Sequence, residues 1–479
     1  MTHSKSSTSS FWLLASGLTV LFILSLPAVT ARIYASDEVE GFSWLHSFAF
    51  DRDVSFENEY RYFYDSGQVK NPGFHDTFLS HNADRQTAIG RQPNFTTMGA
   101  AMLWAPFYAA GHVAALVSGR PADGLSQPYI TAVAIGSATY GFLALLLSIA
   151  IARRVVGTLG LGPALAVWLG TPLLFYMYVT PIFTHACSAF AVSLLLWTWL
   201  RVRDRWTPAG AFALGITGGL VMIVRSQDAL FIAAPAIDFL RWAMQRSLRP
   251  SGRGAPGPDG PGLLGPWARG LWPVLSAALG AALILGPQLL AFKALNGHYR
   301  QSEFETRKMS WTSPHGLQVL FDHQHGLFFW TPLAVLAAAG LLWLSVRKPT
   351  RWIGALMLIG FALQAYIAGA VESWTVAGAY GQRRFVSLTP LLVLGVAALA
   401  TAMATAKPLA RAAAVAAVVL CVWWNIGLMA QFGLHTMDRE RLTLADNAWQ
   451  SFVALPRAAP SLIWRYLTDR SSFYNQPRH

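Results

Sequence analysis

Apolar segments long enough to cross a lipid bilayer recur along the chain from residue 11 to residue 431. A membrane-spanning helix needs about 20 predominantly apolar residues. By this criterion the chain is predicted to be an all-α integral membrane protein with 11 spanning helices. They are predicted at 11–31, 128–151, 160–180, 184–200, 208–224, 229–245, 271–292, 327–346, 352–371, 386–405 and 409–431.

A further apolar segment, 96–117, decides which side of the membrane each loop faces. Five loops carry clusters of Arg and Lys, and such clusters collect on the cytoplasmic side of membrane proteins. These clusters share one side with Lys5 only if 96–117 lies on the outer surface, where Trp104, Phe107 and Tyr108 suit the membrane interface. We therefore expect the N-terminus inside, the C-terminus outside, and juxtamembrane helices in the first outer loop. The clusters lie at 153–154, 201–205, 241–269, 347–351 and 407–411.

This topology divides the chain into a membrane domain, 1–431, and an outer tail, 432–479. Within the membrane domain, two long outer loops are expected at 32–127 and 293–326. The cytoplasmic loop 246–268 is rich in Gly and Pro, which predicts a flexible linker.

Composition narrows the class of protein further. Only 12% of the residues are charged, against about 25% in soluble domains, and 54% are hydrophobic. These values exclude a disordered chain, a collagen, a coiled coil and a disulfide-rich secreted module. The net charge of +13 is assigned to the cytoplasmic loops and not to nucleic-acid binding, because no aromatic-basic RNA motif accompanies it. Cys187 and Cys421 lie in apolar segments, which argues against a disulfide framework or a cysteine zinc site.

The acidic residues are concentrated in the first outer loop. Ten of the 23 acids lie between Asp37 and Asp84, and most are expected to solvate that loop. Asp37 and Glu38 differ because they follow the first predicted span directly, at the outer membrane face. A carboxylate there is suited to activate a hydroxyl of an acceptor. Alternatively, Ser36 or Asp37 caps a helix over 39–50, a role compatible with the first.

The order of these features resembles the polytopic glycosyltransferases of the GT-C fold, close to bacterial relatives of protein O-mannosyltransferases and of the lipid A aminoarabinose transferase. The resemblance covers about 11–430, and it begins with one span followed by Asp37-Glu38 and a long outer loop. Four further segments carry it: Arg-Gln-Pro-Asn-Phe at 91–95, Asn296 to Glu305, His325 to Pro332, and Trp374 to Phe385.

The resemblance implies an enzyme of the bacterial inner membrane that moves a sugar from a polyprenyl-phosphate carrier to a hydroxyl of a lipid, glycan or protein. The transfer would invert the anomeric carbon and take place on the periplasmic face. Asp37 would be the catalytic base, and Glu38 would assist by orienting the acceptor.

The leaving phosphate requires fixed positive charge, and Arg binds phosphate with two parallel hydrogen bonds. Arg91 is the first candidate for this role. Glu372 is expected to orient the sugar or, in a purely structural role, to pair with Arg383. Tyr380 is expected among the substrate-binding residues. The other expected substrate-binding residues are Arg85, Arg225, Arg300, Arg383 and Arg384.

Three alternatives remain at the level of the sequence. Arg225 pairs with Asp228 in a purely structural interpretation. No cofactor and no metal site is predicted, since the spacing of Asp322, His323 and His325 is not a zinc signature, but a divalent cation stays open. The competing function is a transporter or flippase of lipid-linked sugars; charges at the outer face, with few near the bilayer midplane, favour the enzyme.

Overall fold

The computed structural model describes residues 6–69, 71–81, 84–157, 160–247 and 266–473. The described residues form helices joined by turns, without a strand among them, which confirms the all-helical prediction. The α-helices are α1 (Ser6–Ser25), α2 (Ser36–His46), α3 (Glu57–Asp65), α4 (Pro72–Phe78), α5 (Gly99–Val117), α6 (Gln127–Val156), α7 (Leu161–Gly170), α8 (Leu173–Tyr178), α9 (His185–Val202), α10 (Pro208–Val224), α11 (Ala233–Ser247), α12 (Pro266–Asn296), α13 (Glu303–Arg307), α14 (Gln318–Phe321), α15 (Leu327–Trp330), α16 (Leu333–Val346), α17 (Arg351–Ala370), α18 (Thr389–Met403), α19 (Pro408–Leu434), α20 (Leu444–Trp449) and α21 (Leu455–Thr468).

Seven helical segments within the described residues are long and apolar enough to cross a membrane. They are Gly99–Val117, Gln127–Val156, His185–Val202, Leu271–Asn296, Arg351–Ala370, Arg383–Met403 and Pro408–Leu434. Four shorter apolar helices occur at Ala15–Ala28, Leu161–Gly170, Pro208–Val224 and Leu333–Val346. These segments support the assignment of the chain as a membrane protein.

Several of the predicted spans are interrupted in the structure. The predicted span 160–180 is divided into α7 and α8, because Thr171 is extended and Pro172 starts a new helix. The predicted span 229–245 begins as a 3-10 helix, Ser226–Ile232, and continues as α11. The predicted linker 246–268 lies largely outside the described residues, which omit 248–265.

The chain forms two compact units. One consists of Ser16–Ile151 and Thr180–Arg307, and it contains the first predicted outer loop. Its helices α10 and α12 approach closely at small residues: a Cβ on Gly215 would overlap the Ala277 carbonyl, and a Cβ on Gly280 would overlap the Phe212 carbonyl. Such small contact residues are typical of helices packed within a membrane.

In the same unit, helix α5 packs against the first half of helix α6. The Tyr140 hydroxyl donates to the Leu103 carbonyl at 2.8 Å. Gly136 faces the Phe107 ring, where a Cβ would overlap the ring, and Gly111 faces the backbone of Tyr129. The two helices therefore run in opposite directions at this contact.

The second unit consists of Met1–Ala15, Ala152–Val179 and Lys308–His479. Its helices α16 and α18 meet at Gly340 and Gly395, where a Cβ on Gly340 would overlap the Gly395 carbonyl. An isolated bridge between Met309 and Val371 joins the segment after α13 to the end of α17. This bridge fixes the position of the chain just before Glu372, where the segment 372–385, which contains Trp374 to Phe385, begins.

Candidate active site

The start of α2 is fixed by Glu38. Ala35, the residue before the helix, is extended, and the Glu38 side chain turns back toward it. Glu38 Oε2 accepts hydrogen bonds from the backbone N–H groups of Tyr34 at 2.9 Å and Ala35 at 3.1 Å. The sequence predicted a cap from Ser36 or Asp37; the structure assigns the capping contact to Glu38 because its longer side chain reaches back one turn.

Glu38 is completely buried, whereas its neighbour Asp37 is partly exposed. Burial raises the pKa of Glu38 from 4.5 to about 8, against the opposing effect of the two backbone donors and of Arg32; the negative charge of Asp37 raises it further. Glu38 is therefore mainly neutral at pH 7, and its side chain positions the start of α2. That it also orients the acceptor stays a prediction. Asp37 lies in the first turn of α2, where the helix dipole stabilises a carboxylate.

A second buried acid, Glu40, ties α2 to the segment 91–98. Glu40 Oε1 accepts from the backbone N–H of Phe95 at 2.6 Å. The Glu40 carbonyl accepts from Asn94 Nδ2 at 2.9 Å. Both Glu40 and Asn94 are buried. The 91–95 motif is thus fastened directly to the helix that begins at Asp37.

The segment 91–98 also contacts three later parts of the same unit. Gln301 Nε2 donates to the Phe95 carbonyl at 3.0 Å. The N–H of Met98 donates to Gln288 Oε1 at 2.8 Å. A Cβ on Gly99, the residue after this segment, would overlap the backbone of Ile223, two residues before Arg225. The structure therefore brings together three regions that the sequence singled out: α2, 91–95, and 296–305.

The arginines of this unit are held in different ways. Arg225 is partly exposed, and its guanidinium contacts Thr184 Oγ1 at 3.3 Å, His185 Nδ1 at 3.0 Å and Gln227 Oε1 at 3.3 Å. Asp228, the alternative partner, is buried and accepts from the Ser188 hydroxyl. Arg225 is therefore oriented by side chains at the start of α9 as well as by its own turn.

Arg91 is exposed and reaches the Val54 carbonyl at 3.5 Å through one guanidinium nitrogen. Arg85 is partly exposed in a turn. Arg300 is exposed and forms an ion pair with Glu303 at 2.5 Å. Arg91 forms no ion pair within the described part of the chain, which keeps its guanidinium suitable for a phosphate.

The other unit holds the remaining expected residues. Arg384 is buried, and it donates to the carbonyl of Ser373 at 2.8 Å and to its hydroxyl at 3.1 Å. Arg383 is partly exposed. Glu372 is exposed, and among the described residues its carboxylate forms no ion pair, so the structural pairing that the sequence allowed is not observed. Arg384 therefore fixes the backbone at Ser373, while the side chain of Arg383 is partly exposed and that of Glu372 is exposed.

Tyr380 is a packing residue in this unit. It is 1% exposed, and its ring stacks on Phe175 with 4.5 Å between centroids. The Tyr380 hydroxyl donates to the Asn425 backbone carbonyl at 2.8 Å and to Asn425 Oδ1 at 3.0 Å. Asn425 in turn donates to the Leu169 carbonyl at 2.8 Å. Tyr380 thus has a structural role in this unit, with its hydroxyl engaged by Asn425.

The histidines near 322–325 are engaged in packing and backbone contacts. His325 Nε2 donates to the Ala379 carbonyl at 2.7 Å, and its ring stacks on Trp330. Burial lowers the pKa of His325 to about 4, so it is neutral at pH 7. His323 stacks on Phe329. The one group of potential metal ligands in the described residues lies elsewhere, at His46, Asp51 and Glu59.

Sequence analysis missed Glu40, Gln288 and the group at His46. The sequence signal for Glu40 was an acid that interrupts the apolar stretch between Val39 and Phe42. Asp51 and Glu59 were interpreted as solvating acids, because their approach to His46 depends on the turn between α2 and α3.

Comparison with known proteins does not assign the chain to a family. No protein family matches the chain. No curated protein matches it significantly. Function is therefore inferred from the chemistry of the side chains described above.

Proposed function

We propose that the protein is an inverting glycosyltransferase that uses a polyprenyl-phosphate-linked sugar as donor and a hydroxyl of a lipid, glycan or protein as acceptor. The observation that carries the proposal is the pair of acids at the start of α2. Glu38 is buried and mainly neutral, while Asp37 is partly exposed in the first turn of the helix. Environment thus separates the two carboxyl groups into a positioning group and a base.

In the proposed reaction Asp37 accepts the proton of the acceptor hydroxyl. The hydroxyl oxygen attacks the anomeric carbon from the face opposite the carrier phosphate. The bond between that carbon and the phosphate oxygen breaks, and polyprenyl phosphate leaves with the electron pair. The products are the inverted glycoside and the free carrier, and Asp37 returns the proton to solvent.

The arginines would stabilise the charge that develops on the phosphate. Arg225 and Arg91 are the best supported, because Arg225 is oriented by Thr184 and His185 and Arg91 belongs to the segment fastened to α2. Arg85, Arg300 and Arg383 are further candidates, and Arg384 is proposed as a positioning residue. The reaction requires no cofactor in this scheme.

We place these residues on the periplasmic face of a bacterial inner membrane, with 11 spans and α5 outside the hydrocarbon region. This arrangement rests on the distribution of Arg and Lys, whose clusters share one side with Lys5 only if α5 does not span the membrane.

The test is a comparison of surface glycolipids and glycans by mass spectrometry in a deletion strain that carries wild-type protein, Asp37→Asn or Asp76→Asn. Asp76→Asn removes an exposed acid of α4 in the same loop and controls for charge. We expect one sugar to be missing in the deletion and restored by wild type and Asp76→Asn, but not by Asp37→Asn at equal membrane content. A glycan restored equally well by Asp37→Asn would contradict the base assignment and favour the transporter of lipid-linked sugars.

A further inference from the structure

Three side chains between α2 and α3 converge on one point outside the candidate active site. His46 is the last residue of α2, Asp51 ends the π-helix Ser47–Asp51, and Glu59 lies in the first half of α3. One ligand atom from each lies within 4.8 Å of the others. His46 Nδ1 is 2.9 Å from Glu59 Oε1 and 3.2 Å from Asp51 Oδ2.

The tautomer of His46 is set by its second nitrogen. Nε2 lies 3.1 Å from the Asp123 carbonyl, which only accepts hydrogen bonds. Nε2 therefore carries a hydrogen, and Nδ1 faces two carboxylate oxygens, to which it donates when protonated and beside which it becomes a ligand when a cation takes the place of that proton. A histidine that donates its outer N–H to a carbonyl is the usual arrangement of a metal ligand.

Glu59 provides a second, independent observation. Its side chain is 0% exposed, and Oε2 has no hydrogen-bond partner in the described part of the chain. A fully buried carboxylate oxygen without a donor is costly unless a cation or a proton compensates it. One oxygen of the buried Glu59 carboxylate is therefore left without a donor among the described residues.

The surroundings hold the three ligands in place. Asn58 Nδ2 donates to Asp51 Oδ2 at 2.8 Å, and the Phe50 ring lies parallel to the His46 ring at 5.2 Å. Gly124 has φ +80°, and a Cβ there would lie 2.7 Å from both rings, so the loop after Asp123 reaches His46 only through a glycine. The side chain of Asp51 is 30% exposed, which leaves an opening to solvent.

We propose that His46, Asp51 and Glu59 bind a divalent transition-metal cation, with Zn²⁺ as the best fit. Zinc ligands of these types lie about 2.0 to 2.2 Å from the metal, which in tetrahedral geometry puts neighbouring ligand atoms about 3.4 Å apart. The separations of 2.9 and 3.2 Å from His46 Nδ1 to the two carboxylates are therefore within a few tenths of an ångström of those of a zinc site. One imidazole and two carboxylates favour Zn²⁺ over Mg²⁺ or Ca²⁺, which prefer oxygen ligands alone. The opening at Asp51 provides the fourth position for water.

The site would act at a distance from Asp37. The 11 residues of α2 separate the two ends of the helix by about 15 Å, so the cation would not touch the reacting groups. It would fasten the far end of the helix that carries Asp37 to α3. This inference is independent of the proposed function.

The test is zinc binding by purified full-length protein in detergent, with an affinity tag that contains no histidine. The chain has 12 histidines, so the decisive quantity is the difference between variants. We compare wild type, Asp51→Asn, Glu59→Gln and Asp65→Asn by equilibrium dialysis against buffered Zn²⁺. Asp65→Asn removes an exposed acid at the end of α3 and is the matched control.

Wild type and Asp65→Asn are expected to hold one more Zn²⁺ per chain than the other two variants. Asp51 is partly exposed, so Asp51→Asn keeps the fold and Asn can still accept from Asn58. Zn²⁺ should also raise the unfolding temperature of wild type but not of Asp51→Asn. Co²⁺ should give visible absorption bands in wild type and Asp65→Asn, but not in Asp51→Asn or Glu59→Gln. Equal zinc content in all four proteins would overturn the proposal. It would indicate that a proton, and not a cation, lies between His46 and the two carboxylates.

Discussion

The buried carboxyl group of Glu38 makes stability depend on pH in a direction opposite to most surface acids. The pKa of Glu38 is raised from 4.5 to about 8 in the folded protein, chiefly by burial. Between these values the folded state holds a proton that the unfolded state has released, so stability falls as pH rises. The fall approaches 1.4 kcal/mol per pH unit for one proton, or about 2 kcal/mol between pH 6 and pH 8. Below pH 4.5 both states hold the proton and the effect vanishes.

Glu38→Gln removes this dependence while it preserves the cap. The amide oxygen can accept from the N–H groups of Tyr34 and Ala35, and the neutral side chain has no proton to lose. We therefore expect the unfolding curves of wild type and variant to coincide near pH 4.5 and to diverge as pH rises, with wild type less stable by several kcal/mol at pH 8.

The assay is denaturant unfolding of purified protein in detergent, followed by tryptophan fluorescence at pH values from 4.5 to 8. Glu57→Gln is the control, because Glu57 is a solvent-accessible acid of α3 that pairs with Arg61. It should not reproduce the divergence. A wild-type curve that stays parallel to that of Glu38→Gln across this range would refute the assignment of a neutral, buried Glu38.

Two further changes test the packing described above. Gly340→Ala should sharply lower the yield of folded protein, because the new methyl group would overlap the Gly395 carbonyl. Gly17→Ala, where a Cβ meets no atom within 4 Å, should leave the yield unchanged. Size-exclusion chromatography measures both yields. Tyr380→Phe should lower the free energy of unfolding by about 1 to 3 kcal/mol, because the buried oxygens of Asn425 lose their donor; an unchanged unfolding midpoint would contradict that role.

Hydrophobic periodicity is sufficient for the helical class and for the longest helices. The predicted segment 128–151 falls within α6, and 271–292 falls within α12. It does not reveal interruptions within an apolar run. The break between α7 and α8 depends on Thr171 and Pro172, and average hydropathy over twenty residues is insensitive to two of them.

The candidate site was predicted in part. Asp37 follows the first apolar helix, and its position at the start of α2 agrees with the expected helix. The burial of Glu38 was not predictable, because it depends on side chains packed around it from other elements. Tyr380 illustrates the same limit: its motif was recognisable, but its hydrogen bond to Asn425 joins residues 45 positions apart.

The sequence positions of the contacts at 91–98 determine when this part of the protein can be completed during synthesis. Met98 binds Gln288 across 190 residues, and Phe95 binds Gln301 across 206 residues. A ribosome adds about 5 to 20 residues per second, so the backbone groups of the segment wait roughly 10 to 40 seconds for these partners. During that interval the polar groups need water or a chaperone, because lipid cannot satisfy them. Biogenesis of the unit therefore ends with the docking of α12 and the residues after it, and a chain truncated before Gln288 would leave the segment open.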